Sequence, residues 1–257
     1  MELINNILQP FWASKFKSNI FCGFTLAQMG NMALTRESLN GKTTSFNKEQ
    51  ILKINKAEDF SIFSPLQTHS NEYIEVFPNI ANKGRYSKED ALEGDACVTE
   101  STNIMLLTTW ADCIPVLLYS PKNNIIAAIH SGWKGTYKQI INNVMSYFNK
   151  KQTPFEHIYA AIGPGIKKCC YQVSEDFLDF FPTSNDLLFE KRGGKLFFDL
   201  SYCVYLQLLE CGIKKENIDY SEYCTCCNES PLFSSYRREK DLFQGQAAFI
   251  GMRKKYE

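Results

Sequence analysis

The middle of the chain carries three short, unbroken apolar runs, and they restrict the fold more than any other feature. They cover residues 104–109, 114–119 and 125–130. Runs of this length without polar alternation are typical of strands buried on both faces. Apolar residues at helical spacing follow over residues 135–150, which predicts an amphipathic helix that packs on the sheet. Strands close enough to pair antiparallel are mixed with helices, which favours a mixed-sheet α+β or α/β fold over an all-parallel one.

Elements of both kinds continue from one end of the chain to the other. No internal repeat, low-complexity tract or Pro/Ser/Gly linker interrupts them, which predicts a single domain over residues 1–257. In the N-terminal part, a strand is predicted at residues 20–26 and a helix at residues 48–57, with Asn47 as its N-cap.

Charge and terminal sequence argue against several classes of partner. The 28 basic and 28 acidic residues cancel, which gives no electrostatic footprint for nucleic acid or for an acidic membrane surface. The N-terminus has no basic run followed by an apolar core, and no segment approaches the roughly 20 apolar residues that span a bilayer. We therefore expect a cytoplasmic protein with neither a nucleic-acid nor a membrane partner. The sequence carries no signal for its oligomeric state.

The ten cysteines of such a protein need an explanation other than disulfide bonds, because reducing compartments keep thiols free. Most are expected to be small buried hydrophobic residues. Cys169 and Cys170 are too close for an ordinary disulfide, so a packing or pocket role is expected for them. Histidine is scarce by contrast, and His157 is expected to be an exposed or capping residue.

Three segments place chemically reactive residues at the ends of predicted strands. They are Gln-Thr-His-Ser at residues 67–70, Ala-Asp-Cys at 111–113 and Ile-His-Ser-Gly-Trp-Lys-Gly at 129–135. Their two histidines and one cysteine, His69, Cys113 and His130, are suitable zinc ligands that leave a fourth position open. The spacing alone leaves another interpretation open, in which His69 is a loop residue and the other two belong to the core.

Longer motifs around these segments resemble the YfiH-type family, known as polyphenol oxidase or laccase-domain proteins and as purine nucleoside phosphorylases. The resemblance covers about residues 20–250, with its motifs in family order. They lie at residues 67–69, 94–99, 111–116, 128–136, 162–164, 169–173, 199–200, 224–225 and 233–238.

This resemblance implies a layered α/β/β/α arrangement of mixed sheets, the YfiH-like or cytotoxic necrotizing factor-like fold. It also implies a zinc site formed by His69, Cys113 and His130, with copper as an alternative metal. The implied activity is phosphorolysis of adenosine, inosine, guanosine and methylthioadenosine, together with adenosine deamination. The partners would then be a purine nucleoside and phosphate.

Further residues receive provisional roles from their position. Asp112 is either a proton shuttle next to the metal or a structural cap. Ser131 and Lys134 are candidates for binding an anion, together with the amides around Gly132, although Lys134 is equally suited to a solvated surface position. The family's C-terminal Gly-Arg pair appears here as Phe-Gln-Gly-Gln at residues 243–246. If the family's arginine holds an anionic substrate group, either Arg237 or Arg238 serves instead in this chain or the affinity for that group is lower.

Three alternatives from other classes stay open. A copper-dependent phenol oxidase is one, although a multicopper centre needs many imidazoles and the chain has three histidines. A cysteine hydrolase is another, with Cys113 as nucleophile and His130 or His69 as its base, which fits a family association with peptidoglycan-precursor editing. The third is a structural metal domain, in which Cys224, Cys226 and Cys227 complete a four-ligand site.

Overall fold

The computed structural model describes residues 1–35, 43–85, 87–181, 185–228 and 232–254. Its strands, in chain order, are β1 (Glu2–Ile4), β2 (Ile7–Gln9), β3 (Ile20–Thr25), β4 (Ser61–Phe63), β5 (Tyr73–Glu75), β6 (Ala96–Thr99), β7 (Ile104–Trp110), β8 (Ile114–Ser120), β9 (Ile125–Ser131), β10 (Tyr159–Ile162), β11 (Gln172–Val173), β12 (Phe189–Arg192), β13 (Lys195–Phe198), β14 (Ile218–Tyr220) and β15 (Gln246–Met252).

The α-helices are short to medium in length. They are α1 (Thr44–Ile54), α2 (Trp133–Tyr137), α3 (Ile140–Lys150), α4 (Phe177–Phe180), α5 (Asn185–Leu188), α6 (Leu200–Glu210) and α7 (Tyr236–Glu239). Single 3₁₀ turns lie at Phe11–Phe16, Ala27–Met29, Pro78–Ile80, Phe155–His157, Lys215–Asn217 and Lys240–Leu242. Across the described ranges, no helix combines the length and the hydrophobicity needed to cross a lipid bilayer.

Two six-stranded sheets and a small three-stranded sheet organise the chain. The first sheet has the order β1-β2-β3-β15-β7-β4, the second β14-β10-β8-β9-β6-β5, and the third β11-β13-β12. Most pairings are antiparallel, but β4 runs parallel to β7, β5 to β6, and β14 to β10. The sheets are therefore mixed, and the α+β prediction with mixed sheets is confirmed.

Three apolar clusters separate four layers. Ile51 and Leu52 of α1 pack with Met105 and Leu107 on the outer face of the first sheet. A second cluster lies between the two large sheets, and a third joins the second sheet to α3 and α6. The order of layers is therefore α/β/β/α. The first and last parts of the chain meet where β3 pairs with β15, which supports the single-domain prediction for residues 1–257; that assignment stays a prediction.

The three central apolar runs form β7, β8 and β9, and nearly all of their residues are buried. Their neighbours on both faces explain why the sequence lacks polar alternation there. The helix predicted at residues 135–150 is instead two helices, because Gln139 adopts a left-handed conformation (φ 63°) between α2 and α3. This break turns the strongly amphipathic α3 so that its apolar face covers the second sheet.

The prediction for the N-terminal helix was wrong at its start. The helix begins at Thr44, and the side chain of Thr43 accepts a hydrogen bond from the Phe46 amide as the N-cap. Asn47 lies inside the helix, where it is buried and its side-chain amide donates to the Asn31 carbonyl at 3.0 Å. Both residues are good cap formers, so local preference alone did not separate them.

Candidate active site

A crossing between the two large sheets creates the edge at which the predicted site residues meet. The chain leaves β7 in the first sheet at Trp110 and enters β8 in the second at Ile114. Pairing of Ile114 with Ser131 places Cys113 opposite Gly132, beyond the end of β9. Pairing of Ala96 with Ile129 likewise places the residue before β6, Asp95, beside His130.

His69 lies in the connection between β4 and β5 and has a positive φ of 58°. The loop is fastened to the end of β7 by Gln67. Its side-chain oxygen accepts from the Thr109 amide at 2.7 Å, and its side-chain nitrogen donates to the Thr109 carbonyl at 2.7 Å. This two-way bond explains the need for glutamine two residues before the histidine, because an amide side chain can both accept and donate.

Asp95 joins the His69 loop to His130. Its buried carboxylate accepts hydrogen bonds from the amides of Thr68 (3.1 Å), His69 (3.1 Å) and Ser70 (2.6 Å). It also accepts from His130 Nδ1 at 2.8 Å. A carboxylate on one imidazole nitrogen orients the ring and leaves Nε2 available as a ligand, as is common in metal sites.

The three candidate ligands converge. His69 is exposed, Cys113 is partly exposed and His130 is buried, and their ligand atoms all lie within 4.8 Å of one another. Cys113 Sγ is 3.9 Å from His69 Nε2, and the two imidazole rings are nearly perpendicular with centroids 5.0 Å apart. One soft sulfur and two imidazole nitrogens at this separation suit a tetrahedral zinc ion with an open fourth position.

Charge is coupled within this cluster. Burial raises the pKa of the Cys113 thiol, but the positive charge of His130 and hydrogen bonds from both histidines outweigh burial and lower it overall. Burial lowers the pKa of His130, yet the Cys113 thiolate and Asp95 outweigh this effect and raise it. Burial similarly opposes ionisation of Asp95, but its bonds to His130 and Ser70 lower its pKa. The cluster therefore favours the thiolate, the form of cysteine that binds metals and acts as a nucleophile.

A pocket of about 550 Å³ opens over the three ligands. Volumes in this range accommodate a small-molecule ligand. Five aromatic side chains contribute to its walls, and they are Trp110, Trp133, Tyr171, Tyr236 and Phe243. Trp133 is held by α4, with its ring centroid 5.0 Å from Phe177 and 5.3 Å from Phe180.

The candidate anion-binding residues are not all at this pocket. Arg237 lines it, and the guanidinium also donates to the carbonyls of Cys170 (3.3 Å) and Gln172 (3.1 Å). Ser131 is fully buried, and its hydroxyl shares a hydrogen bond with the Thr136 hydroxyl at 2.8 Å. Lys134 is exposed, with its ammonium 5.7 Å from the Trp133 ring centre. Neither Ser131 nor Lys134 is among the described residues that line the pocket.

Asp112 sits next to Cys113 with a positive φ of 86°. Its carboxylate accepts from the Thr225 hydroxyl at 2.6 Å and from the Arg237 amide at 2.6 Å. Its carbonyl accepts from the Ile166 amide at 2.8 Å. These contacts tie the crossing segment to two distant loops and to α7, and they favour the structural interpretation of Asp112 over the proton shuttle.

Gln246, in the segment that differs from the family's Gly-Arg pair, is committed to buried hydrogen bonds. Gln246 is fully buried, accepts from the Ser234 amide at 2.8 Å and donates to the carbonyls of Trp110 and Ser234. Arg238 donates to the carbonyls of Thr225, Cys226 and Phe233. Of the two candidate arginines, Arg237 lines the pocket, and Arg238 is not among the described residues that do.

Gly132 leaves room for the ligand set. A Cβ atom there would stand 3.0 Å from His69 Cδ2 and 3.1 Å from Cys113 Sγ, although the backbone (φ −73°) would accept alanine. We expect Gly132→Ala to weaken metal binding and lower turnover, because the side chains of His69 and Cys113 would have to give way by a few tenths of an ångström to admit the methyl group. Zinc titration and kinetics, with thermal unfolding as the check on folding, measure this. Unchanged metal affinity and turnover would contradict the assigned geometry.

The site and fold can be compared with known proteins. A family model described as multi-copper polyphenol oxidoreductase laccase matches residues 27–253. The chain belongs to this family. Within it, purine nucleoside phosphorylase YlmD of Bacillus subtilis is 31% identical over 94% of this chain and 92% of its own length. A purine nucleoside phosphorylase of Aquifex aeolicus is 35% identical over 70% of this chain and 77% of its own length.

Solved structures agree with the fold. The YfiH protein of Bacillus licheniformis superposes with a TM-score of 0.86 at 25% identity, covering 97% of this chain and 100% of that one. YlmD of Geobacillus stearothermophilus gives a TM-score of 0.83 at 26% identity, covering 91% and 92%. The predicted family and the layered fold are confirmed. The family description names several coppers, but His157 lies exposed in a separate 3₁₀ turn, so only two of the three histidines reach the site.

Proposed function

We propose that this chain is a zinc-dependent purine nucleoside phosphorylase that also deaminates adenosine. The observation that carries the proposal is the open His69–Cys113–His130 ligand set at a pocket with aromatic walls and an arginine, Arg237. The relatives named purine nucleoside phosphorylase support the same substrate class.

His69, Cys113 and His130 would hold the metal. They fit zinc because their donor atoms converge, because Gly132 leaves space beside them, and because Asp95 fixes the His130 ring. When bound, zinc supplies a Lewis acid at the wall of the pocket.

The surrounding residues account for binding of both substrates. The aromatic walls, with Trp133 and Tyr171 among them, offer stacking surfaces for a purine. Phosphorolysis forms a bond from a phosphate oxygen to C1′ of the ribose and breaks the bond from C1′ to the purine nitrogen. Arg237 would hold the phosphate and screen its charge, and Asp112 would position Arg237 and Cys113 through its backbone and side-chain hydrogen bonds.

Metal content and product analysis on wild type and Cys113→Ala test the proposal. We expect the wild type to convert adenosine and phosphate to adenine and ribose 1-phosphate, with inosine as the deamination product. Cys113→Ala should lose these activities and one zinc per chain. Cys211→Ala is the matched control, because Cys211 is also partly exposed but bonds to Asn142 on α3, away from the pocket. If Cys113→Ala keeps both the activities and the zinc, the proposed site is refuted.

The stabilised Cys113 thiolate favours one second candidate, a cysteine hydrolase with His130 or His69 as base. That function predicts rapid alkylation of Cys113 and activity that persists after chelation, whereas the nucleoside enzyme loses activity with its metal. A protein that is purified without metal, has a reactive Cys113 and stays inactive on adenosine after zinc is added would favour the hydrolase. Copper-dependent oxidation of a phenol by the protein would instead favour the phenol-oxidase alternative.

Arg237 and Lys134 can be separated as phosphate ligands. We expect Arg237→Met to raise the KM for phosphate about 10–100-fold, because a hydrogen bond to a charged group contributes about 1.5–3 kcal/mol. The KM for the nucleoside should change far less. Lys134→Met should alter neither constant, since Lys134 lies outside the described pocket lining. Phosphate-dependent kinetics on both variants measure this, and a larger effect at Lys134 would reverse the assignment.

A further inference from the structure

A second cluster of metal-ligating side chains lies apart from the pocket. Cys169, Cys170, Cys224 and Cys227 bring their four sulfur atoms within 4.8 Å of one another. Two of these residues follow β10 and two follow β14, adjacent parallel strands of the second sheet. Cys226 does not belong to the cluster, and the four cysteines form a group separate from His69, Cys113 and His130. Of the three C-terminal cysteines that the sequence suggested for a structural four-ligand site, two take part in this cluster.

The spacing of the sulfur atoms is that of a single tetrahedral ion. A zinc–sulfur distance of about 2.3 Å places the four sulfurs of a tetrahedral site roughly 3.8 Å apart. Cys169 Sγ and Cys227 Sγ are 3.5 Å apart, and no pair exceeds 4.8 Å. Cys224 and Cys227 also have the Cys-x-x-Cys spacing of zinc knuckles. A polynuclear iron–sulfur cluster needs wider spacing, because several irons must fit between the thiolates.

The surroundings suit four thiolates around a divalent cation, a group with a net charge of −2. The Lys167 amide points at Cys224 Sγ at 3.5 Å. The Lys167 ammonium is held beside the cluster by Ser201 and the Ser221 carbonyl, and it lines the same surface depression as Lys168. Arg192 donates to the carbonyls of Lys168 and Cys169. Lys167, Lys168 and Arg192 bring positive charge near the four sulfurs, and two carboxylates, Asp199 and Glu222, line the same depression.

The geometry points to a second, structural zinc site formed by Cys169, Cys170, Cys224 and Cys227. All four positions are filled by protein, so the site is closed and holds the ion without a place for substrate. Binding displaces the thiol protons, which leave to solvent, and involves no change of oxidation state.

This site would brace one wall of the pocket. The Cys170 carbonyl accepts from the Arg237 guanidinium, and the next residue, Tyr171, lines the pocket. Thr225, between two of the cysteines, donates its hydroxyl to Asp112 and its amide to the Gly165 carbonyl. Joining the two loops through one ion would fix the carbonyl and hydroxyl groups that position Arg237 and Asp112.

Metal analysis of purified, reduced protein tests the second site independently of any activity. We expect two zinc ions per chain in the wild type, one in Cys169→Ser/Cys227→Ser, and two in the matched control Cys203→Ser/Cys211→Ser. Cobalt substitution should give the double variant a weaker thiolate-to-cobalt charge-transfer band than Cys113→Ala. The intact site of the double variant has one thiolate, Cys113, whereas the intact site of Cys113→Ala has four. Cys113→Ala should keep one zinc even if the proposed catalytic site binds none, which separates the two proposals.

Three results would overturn the second site. One is a zinc content that Cys169→Ser/Cys227→Ser does not change. Another is iron in place of zinc. The third is a Cys169–Cys227 disulfide in protein purified without reductant, together with no zinc at these cysteines after reduction. If the double variant fails to fold, the single variant Cys170→Ser with cobalt spectroscopy replaces it, and a spectrum unchanged from wild type would equally refute the site.

Discussion

Replacing Asp95 by asparagine is expected to weaken zinc binding at the His69–Cys113–His130 site about 10–100-fold, because carboxylates that orient a metal-bound histidine contribute about that much. Asparagine has the shape of aspartate, but its amide nitrogen replaces one carboxylate oxygen and cannot accept the hydrogen bonds that this oxygen receives. Turnover should fall with the metal. Competition with a chromophoric chelator gives the affinity, and steady-state kinetics at saturating zinc give the residual turnover.

Asp95 also stabilises the fold, so its two effects must be separated. It accepts from three backbone amides and the Ser70 hydroxyl in addition to His130. Leaving buried donors unpaired costs about 1–3 kcal/mol each, so the melting temperature should also fall. Asp199→Asn is the matched control, because Asp199 accepts from the Tyr202 amide as the N-cap of α6 and does not contact the ligands. Equal loss of zinc affinity in both variants would show that Asp95 has no specific role at the metal.

The parts of the fold that the sequence predicted are those with a local signal. β7, β8 and β9 appear as unbroken apolar runs because they are buried between layers, and α3 appears as an apolar stripe because one of its faces meets the sheet. The three candidate ligands were also found from sequence, since histidine and cysteine at strand ends, within family-like motifs, are few in this chain.

The supporting residues were missed because their partners are distant in sequence. Asp95 lies within the motif at residues 94–99, which by itself gives the residue no role, yet it joins residues 68–70 to His130. The bond from Thr225 to Asp112 spans 113 positions. The four clustered cysteines likewise meet only because β10 and β14 are adjacent in the sheet. Sheet order, which no local pattern encodes, determines all three contacts.

Lys48 shows the opposite case, a residue that local pattern places on a helix surface and that the fold buries. Its side chain is 0% exposed, and its ammonium donates to the Gly84 carbonyl at 2.9 Å. Burial lowers the pKa of Lys48 to about 7, more than the nearby Asp90 carboxylate raises it. The unfolded chain keeps the ordinary lysine pKa of about 10.4, so between these two values the unfolded state binds more protons. Stability should therefore rise with pH across this window on account of Lys48.

Lys48→Met should remove that pH dependence. Its stability relative to wild type should be most favourable at pH 7 and below, and that advantage should shrink by roughly 3 kcal/mol by about pH 10, since one pKa unit corresponds to about 1.4 kcal/mol. In Lys48→Met the Gly84 carbonyl loses its partner, which lowers the free energy of unfolding by about 1–3 kcal/mol at every pH. This loss shifts the whole plot of stability against pH and leaves its slope unchanged. Urea unfolding at a series of pH values measures the difference, with Lys53→Met on the exposed face of α1 as the control. If the free energies of unfolding of wild type and Lys48→Met differ by the same amount at every pH, Lys48 stays charged in the folded protein. Only a lowered pKa of Lys48 makes that difference depend on pH.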